Sequence, residues 1–274
     1  MKKKVSKIDY SKSMLPRTRK EQFWDVFKMY YTLLLKSGVM LLLFFIPLIG
    51  YSFFMDFYYV SLLEKANEEI EQTKLIFHYI LNGGLVLFSF VALIGLTGVI
   101  KILRNLIWSE GIYFKEDFAS GVKENFLKNL LFAAIFSIFY LLAYFIYSLF
   151  PETLISYFAL FMFALIFLPI FFWLIYLNNT YKSTFGVLLR NGLYFYVKTI
   201  GWSILGTTLT LLPVFLIFIQ MSLVAVKYIV LVVYIIFIFP IILLMMTLYS
   251  SNKFDESINK DNYPDYYLRG LNSD

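Results

Sequence analysis

A charged stretch lies between two strongly apolar segments in the middle of the chain: Gly95–Leu130, GLTGVIKILRNLIWSEGIYFKEDFASGVKENFLKNL. It holds a basic pair, Lys101 and Arg104, then a short polar turn and an amphipathic segment. The apolar runs on both sides approach the length of about 20 residues that a helix needs to cross a bilayer. We therefore interpret the stretch as the cytoplasmic link between two membrane-spanning hairpins.

The composition is that of a membrane protein. Hydrophobic residues make up 60% of the 274 residues and charged residues 15%, against about 45–50% and about 25% in soluble domains. The absence of cysteine excludes disulfides, a thiolate nucleophile and cysteine metal ligands, and the single His78 excludes sites that need two histidines. A net charge of +6 is explained by sorting across a membrane, and nothing indicates nucleic-acid binding.

The apolar runs predict an all-α, polytopic membrane bundle of six helices. We expect a flexible basic cytoplasmic tail at 1–20, a membrane domain at 21–249 and a cytoplasmic C-terminal tail at 250–274. The predicted spans lie at about 37–60, 75–100, 127–149, 153–177, 199–219 and 223–249. No short apolar core with a small-residue cleavage site follows the basic start directly, so we interpret that start as a retained tail.

The distribution of charge predicts the orientation. With a cytoplasmic N-terminus, all but three of the 24 lysines and arginines fall on the cytoplasmic side; the exceptions are Lys65, Lys74 and Lys227. The acids at or beyond the opposite boundary are Asp56, Glu64, Glu68, Glu69, Glu71 and Glu152, and we expect Asp56 to mark the exit of its span into water. Because cytoplasmic segments carry an excess of Lys and Arg, both termini are predicted to be cytoplasmic.

Three segments share a layout in which a phenylalanine is followed five residues later by a basic residue and then by a span. The pairs are Phe23 and Lys28, Phe118 and Lys123, and Phe185 and Arg190. They suggest three repeats of an interfacial helix plus a hairpin, the first helix lying at 21–36 with its aromatic face toward lipid. The alternative is that each pair is only the basic, aromatic collar of a helix that enters the membrane from the cytoplasm.

Two sets of residues are candidates for function. Within or at the edge of the spans lie four amides, which either bind a ligand or join helices by hydrogen bonds: Asn82, Asn178, Asn179 and Gln220. On the predicted cytoplasmic side lie residues that could contact a lipid headgroup, a phosphate or a partner protein: Lys101, Arg104, Glu110, Asp117, Lys123, Asn125 and Arg190. The alternative for the basic members is that they only set the orientation and snorkel to the membrane surface.

No catalytic residue, metal ligand or cofactor is predicted. The sequence has neither a phosphate-binding loop nor a dinucleotide fingerprint. The spans carry almost no ionisable residues, which argues against a carrier with a carboxylate relay. A membrane enzyme acting on lipid or sugar would have to use the carboxylates of the linking stretch: Glu110, Asp117 and Glu124.

The linking stretch resembles the YesL-like family, bacterial membrane proteins of unknown function. The matching residues are Gly95–Gly98, Leu103–Gly111, Asp117-Phe118 and Lys123–Phe126, with Tyr263–Leu271 at the end of the chain. Because such proteins tend to be encoded beside carbohydrate importers and sensors, the resemblance implies an accessory role in sugar uptake or sensing, in a bacterial inner membrane. It implies no catalytic residues.

The leading functional hypothesis is therefore a non-enzymatic membrane protein, surrounded by membrane lipids, that binds a transporter or sensor in the same membrane. The turn Ser109-Glu110-Gly111 is the first place where we expect a docking surface. The alternative is a small-solute or lipid transporter with a polar cavity, lined by Asn82, between the hairpins.

Overall fold

The computed structural model describes residues 15–65, 70–151, 153–218 and 224–272. Nearly all of these residues are helical, and none of them lies in a β-strand. The helices of this part of the chain are α1 (Arg19–Met29), α2 (Tyr31–Lys65), α3 (Ile70–Ile107), α4 (Phe114–Leu149), α5 (Leu154–Thr180), α6 (Phe185–Lys198), α7 (Ile200–Phe218) and α8 (Val224–Asn262).

Five of these helices are long and apolar enough to cross a membrane, judged by length and composition. Their apolar segments are Tyr31–Ser61, Leu75–Ile107, Phe114–Leu149, Leu154–Thr180 and Val224–Asn262. A further apolar helical segment, Ile200–Leu212, is shorter among the described residues. The all-α, membrane-type architecture is thus confirmed, while the number of six spans stays a prediction.

Two of the long helices widen before a proline. α5 is π-helical at Phe163–Phe167 and α8 at Tyr234–Ile238. Pro169 and Pro240 each follow two residues after the last π-helical residue. A proline lacks the N–H group and clashes with the carbonyl four residues earlier, and a π stretch relieves such a conflict locally. Both helices therefore pass their prolines without breaking.

Two groups of buried side chains hold the helices together. The first joins α1, α2, α3 and α8 and includes Leu41, Leu103 and Leu243, none of which has exposed surface. The second joins α3 through α6 with α8 and includes the fully buried Phe132 and Phe195. Because lipid is as apolar as these side chains, close packing rather than hydrophobic burial stabilises such contacts.

Helices α2 and α8 approach each other closely at Gly38. A Cβ atom at this position would lie 2.0 Å from the carbonyl oxygen of Ile236, within the π stretch of α8. Small residues allow helix backbones to come this near in a membrane. Gly38 therefore permits the contact that joins the last hairpin to the first.

The helix predicted at 21–36 differs from the structure in its extent. α1 ends at Met29, and α2 begins at Tyr31. Val26 is buried, and Phe23 and Phe27 pack against the first core group. α1 folds across the end of the bundle, where Phe23 and Phe27 are only partly buried and Trp24 is 49% exposed, so its position at the membrane surface stays a prediction.

The C-terminal segment, predicted as a tail, packs on the bundle. α8 continues to Asn262, and a 3₁₀ turn at Pro264–Tyr266 brings the chain back over the end of α3. We call residues 263–272 the C-terminal strap. We call one end of the bundle the collar end; the strap, α1 and the link 108–113 meet there. We call the opposite end, which includes segment 52–59 of α2, the cavity end.

Candidate functional site

A ladder of buried amides joins α3, α4 and α5 in the collar half of the bundle. Asn129 Nδ2 donates to Thr97 Oγ1 at 3.0 Å, and Asn178 Nδ2 donates to Asn129 Oδ1 at 2.8 Å. Asn178 Nδ2 also donates to the Asn125 carbonyl oxygen at 3.0 Å, and Asn125 Nδ2 donates to Asn179 Oδ1 at 3.1 Å. The structure thus places three predicted candidates in one interhelical network that is closed to ligands.

Arg104 ends this ladder at the collar end. Its Nη1 donates to the Asn179 carbonyl oxygen, and its Nη2 donates to Asn105 Oδ1 at 2.9 Å. Its guanidinium carbon lies 4.5 Å from the centre of the Trp108 ring, within the range of a cation–π contact. Arg104 therefore ties the end of α3 to the end of α5 and is not free to hold an anion with its whole guanidinium group.

The C-terminal strap covers Trp108. The ring of Tyr266 lies 5.0 Å from the Trp108 ring, centre to centre. Arg269 forms an ion pair with Glu110 at 2.6 Å, and its guanidinium carbon lies 4.7 Å from the Trp108 ring centre. The strap therefore gives Glu110 a partner that its neighbours in the sequence do not supply.

Gln22 and Gly270 fasten the strap to α1 and α3. Gln22 Nε2 donates to the carbonyl oxygens of Ile107 at 2.6 Å and of Gly270 at 3.1 Å. Gly270 has a φ of 81°, and a Cβ atom there would lie 2.0 Å from the Ile107 oxygen. Glycine adopts this left-handed conformation without steric cost, so position 270 has room for no larger residue.

A buried ion pair connects α1 with the end of α8. Arg19 Nη2 lies 2.7 Å from Asp255 Oδ2, and the two side chains are 9% and 5% exposed. Asp255 Oδ1 accepts from Asn259 Nδ2 at 2.7 Å and from the Leu268 backbone N–H at 3.2 Å. Tyr181 donates to Asn259 Oδ1 at 2.5 Å, and because burial raises the pKa of Tyr181, its hydroxyl stays protonated as a donor.

The other charged candidates are dispersed. Lys101 pairs with Glu124 at 3.3 Å across α3 and α4. Asp117 Oδ2 accepts from the backbone N–H four residues earlier at 2.8 Å and so stabilises the start of α4. Lys123 and Arg190 are exposed on different helices, α4 and α6. The seven predicted residues of the cytoplasmic side therefore do not form a single basic patch.

A groove of about 430 Å³ lies on the collar end, between α1 and the turn that follows α3. Val26 and Leu106 are among its apolar lining residues, and Asp25 and Glu110 bring carboxylates to it. Met29, which also lines the groove, is 67% exposed. The structure thus places Glu110, a predicted contact residue, among the described residues that line a concave surface.

A second cavity, of about 270 Å³, lies at the cavity end and is lined by α2, α3, α4, α7 and α8. In its wall Lys227 Nζ lies 2.7 Å from Asp56 Oδ2, which also accepts from the Tyr228 hydroxyl at 2.8 Å. The Lys227 side chain is 4% exposed and that of Asp56 is 32% exposed. Asp56 therefore pairs with a buried lysine and is itself partly exposed near the end of α2, and its place at the exit into water stays a prediction.

The predicted amide Asn82 lines the same cavity. Its Nδ2 donates to the His78 carbonyl oxygen at 2.8 Å, and its Oδ1 accepts from the Tyr140 hydroxyl. Asn82 therefore joins α3 to α4 and also contributes to the cavity wall. Gln220, the fourth predicted amide, lies outside the described residues.

No known relative helps to assign these sites. No family model matches the chain, and searches of curated proteins and of solved structures found no match either. Within the described ranges no group of three or more His, Asp or Glu side chains could hold a metal ion. The resemblance to the YesL-like family therefore stays an expectation.

Sequence reasoning missed two arrangements, the strap contacts and the pairing of Asp56 with Lys227. The two members of this pair are 171 residues apart, so local spacing could not join them. A signal was nevertheless present. Asp56 and Lys227 are charges of opposite sign inside long apolar runs, and both were assigned to the same membrane boundary.

Proposed function

We propose that this protein is a non-enzymatic, multi-pass membrane protein that docks a second membrane protein at the groove of the collar end. The observation that carries the proposal is the groove itself, about 430 Å³ of mostly apolar surface with the carboxylates Asp25 and Glu110. A partner segment with apolar side chains and a lysine or arginine complements such a surface, because its cation can meet the Asp25 carboxylate while Glu110 is held by Arg269.

The strap supports this proposal because it holds the groove in a fixed shape. It holds Glu110 through Arg269 and joins α1 to the end of α3 through Gln22. Preformed surfaces bind more tightly because less conformational freedom is lost on association. The amide ladder beneath stabilises the helices that present the groove.

In the proposed topology the chain spans the membrane six times, both termini are cytoplasmic, and the collar end faces the cytoplasm. α7 supplies the sixth span: its 19 residues extend about 28 Å, close to the hydrocarbon thickness of about 30 Å. The shared π stretch and proline of α5 and α8 support a repeated hairpin. The membrane is a bacterial inner membrane, and the partner is a carbohydrate transporter or sensor, as the resemblance to YesL-like proteins suggests.

Site-specific photocrosslinking in native membranes tests the docking proposal. A benzoylphenylalanine at position 29, in the groove, is compared with one at position 197 on α6; Met29 and Val197 are 67% and 72% exposed. We expect one discrete protein adduct from position 29 and none from position 197. Equal adducts from both positions, or none from position 29, would contradict the proposal.

A charge reversal sharpens this experiment. Asp25→Lys places a cation in the groove, and we expect it to reduce the adduct from position 29 because a basic partner segment is repelled. Glu116→Lys is the matched control, since this exposed carboxylate lies on α4 and does not line the groove. A reduction of the same size from both substitutions would argue against a specific electrostatic contact.

A small-solute or lipid transporter is the second candidate function, and the cavity at the opposite end favours it. Five helices converge there, and the cavity wall carries both a carboxylate and an ammonium group. Transport also requires an opening toward the collar end, where the amide ladder closes the described helices. Solute uptake by proteoliposomes above the protein-free rate would support transport, whereas binding without uptake would reject it.

A further inference from the structure

The ion pair at the cavity end leaves hydrogen-bonding capacity unused. Both Lys227 and the Tyr228 hydroxyl bond to the same oxygen of Asp56, Oδ2, and among the described residues Oδ1 has no hydrogen-bond partner. An ammonium group has three N–H donors, and within the described part of the chain only one of those of Lys227 has an acceptor. Among the described residues, one carboxylate oxygen and further N–H groups therefore have no hydrogen-bond partner, and the Lys227 ammonium also lies 5.3 Å from the centre of the Tyr228 ring.

The position of the ion pair in the membrane limits which class of molecule the cavity could bind. The apolar segment of α2 has 31 residues and is about 46 Å long, near the total thickness of about 40–45 Å of a bilayer with its headgroups. Asp56 lies five residues before the end of this segment, or about 8 Å from it. The cavity therefore lies at the depth of the lipid headgroups, where polar molecules enter from water or from lipid.

The ion pair costs free energy at this position. Lys227 is 4% exposed, and the desolvation of a buried charge can exceed the attraction of its partner. Aromatic rings of the same wall, those of Tyr59, Phe77 and Tyr144, offer faces on which a ligand cation can rest.

We propose that this cavity binds a small zwitterion, in which an ammonium group and an anionic group are joined by a short linker. The ammonium donates to Asp56 Oδ1, and the anion accepts from Lys227, so that four charges of alternating sign lie side by side. A simple anion would be repelled by Asp56, and a simple cation by Lys227. The volume of about 270 Å³ suits a headgroup or an amino acid.

The ligand has two possible sources, an ethanolamine phospholipid or a free zwitterion of the amino-acid type. The inference concerns the cavity end, opposite the groove. It holds whether or not a partner protein docks at the groove. The inference concerns binding of the zwitterion and does not depend on transport.

Calorimetric titration of the full chain in phosphatidylglycerol nanodiscs tests the inference. The probes are glycerophosphoethanolamine and β-alanine, which are zwitterions, and ethanolamine and glycerol 3-phosphate, which carry one kind of charge each. We expect saturable binding of at least one zwitterion and binding weaker by about tenfold or more for the single-charge probes. Saturation by β-alanine assigns a free zwitterion, and saturation by glycerophosphoethanolamine alone assigns the headgroup.

Two variants provide a matched comparison. Asp56→Asn with Lys227→Gln removes both cavity charges, and Lys253→Gln with Glu256→Gln removes an ion pair of the same 2.7 Å length from the other end of α8. We expect the first variant to lose about tenfold or more in affinity and the second to bind like the unmodified chain. Failure of both zwitterions to saturate, equal binding of ethanolamine, or equal effects of the two variants would overturn the inference. The probe series uses the unmodified chain, so it decides even if a variant does not fold.

Discussion

The two ion pairs that join α8 to the first helices of the chain have the same length and different surroundings. Each has an N–O distance of 2.7 Å. At the collar end Asp255 accepts hydrogen bonds on both oxygens, and its pair with Arg19 is almost fully buried. At the cavity end Asp56 uses one oxygen and faces an open volume. An ion pair of the same length is thus structural where its partners are complete and a candidate binding site where they are not.

This difference extends to the two ends as a whole. At the collar end the amide ladder, Arg104 and the strap use polar side chains to join helices, and the outer groove is the surface at which we propose that a partner docks. At the cavity end five helices surround a volume that their own side chains do not fill. Substitutions at the collar end should therefore reduce stability, and substitutions at the cavity end should mainly reduce ligand binding.

The largest effect is expected from Asp255→Asn. It leaves Arg19 buried without a counter-charge, and breaking a buried pair in this way costs about 3–5 kcal/mol. Asp56→Asn should cost less than half as much, because the Asp56 side chain is 32% exposed beside an open cavity and a partly solvated ion pair contributes less to stability. Unfolding of the two variants in detergent measures both losses. Equal losses in the free energy of unfolding would contradict the proposed difference between the two ends.

Gly270→Ala should detach the strap. The substitution combines a φ of 81° with a Cβ atom 2.0 Å from the Ile107 carbonyl oxygen, so we expect a loss of about 2–4 kcal/mol in the free energy of unfolding. Gly186→Ala is the control, since a Cβ atom on this helical glycine meets nothing within 4 Å. It should gain about 0.5–1 kcal/mol. Similar stabilities for the two variants would show that the strap does not dock as described.

Asn178→Ala should weaken the amide ladder. It removes the donor to both Asn129 and Asn125, and interhelical hydrogen bonds of this kind contribute about 1–2 kcal/mol. Asn191→Ala, at a half-buried position on α6, is the control and should change the unfolding free energy by less than about 0.5 kcal/mol. An equal loss of stability at both positions would show that the amide ladder does not stabilise the helices as described.

The smallest effect is expected at the end of α3, from Ser109→Gly. Ser109 has a φ of 55°, the left-handed conformation that usually belongs to glycine after a helix. Replacement by glycine should raise the free energy of unfolding by about 0.5–1 kcal/mol. Thermal unfolding in detergent can detect this gain, and a decrease would mean that the serine side chain has a role in the groove.

The all-α membrane architecture follows from the sequence because long apolar runs satisfy their backbone groups in lipid only as helices. The position of α1 does not follow, since an amphipathic pattern does not say whether its apolar face meets lipid or protein. Val26 and Phe27 meet protein here because α1 folds over the end of the bundle.

The candidate sites are predictable to different degrees. Glu110 was expected in a docking surface, and the structure places it in a groove, because a polar turn after a span must reach the membrane surface. The pairing of Asp56 with Lys227 depends on which helices become neighbours, and hydropathy carries no information on that. The strap depends likewise on the single contact geometry that Gly270 allows.

One measurement tests the contrast between the ends most directly. The chain has no cysteine, so Leu81→Cys and Val99→Cys each introduce a unique thiol on the same helix, α3. Leu81 lines the cavity and is partly exposed, whereas Val99 is packed with no exposed surface. We expect a small methanethiosulfonate reagent to modify position 81 faster than position 99, and glycerophosphoethanolamine or β-alanine to slow the reaction at position 81 alone. Equal rates at the two positions, or no protection by either zwitterion, would contradict the account.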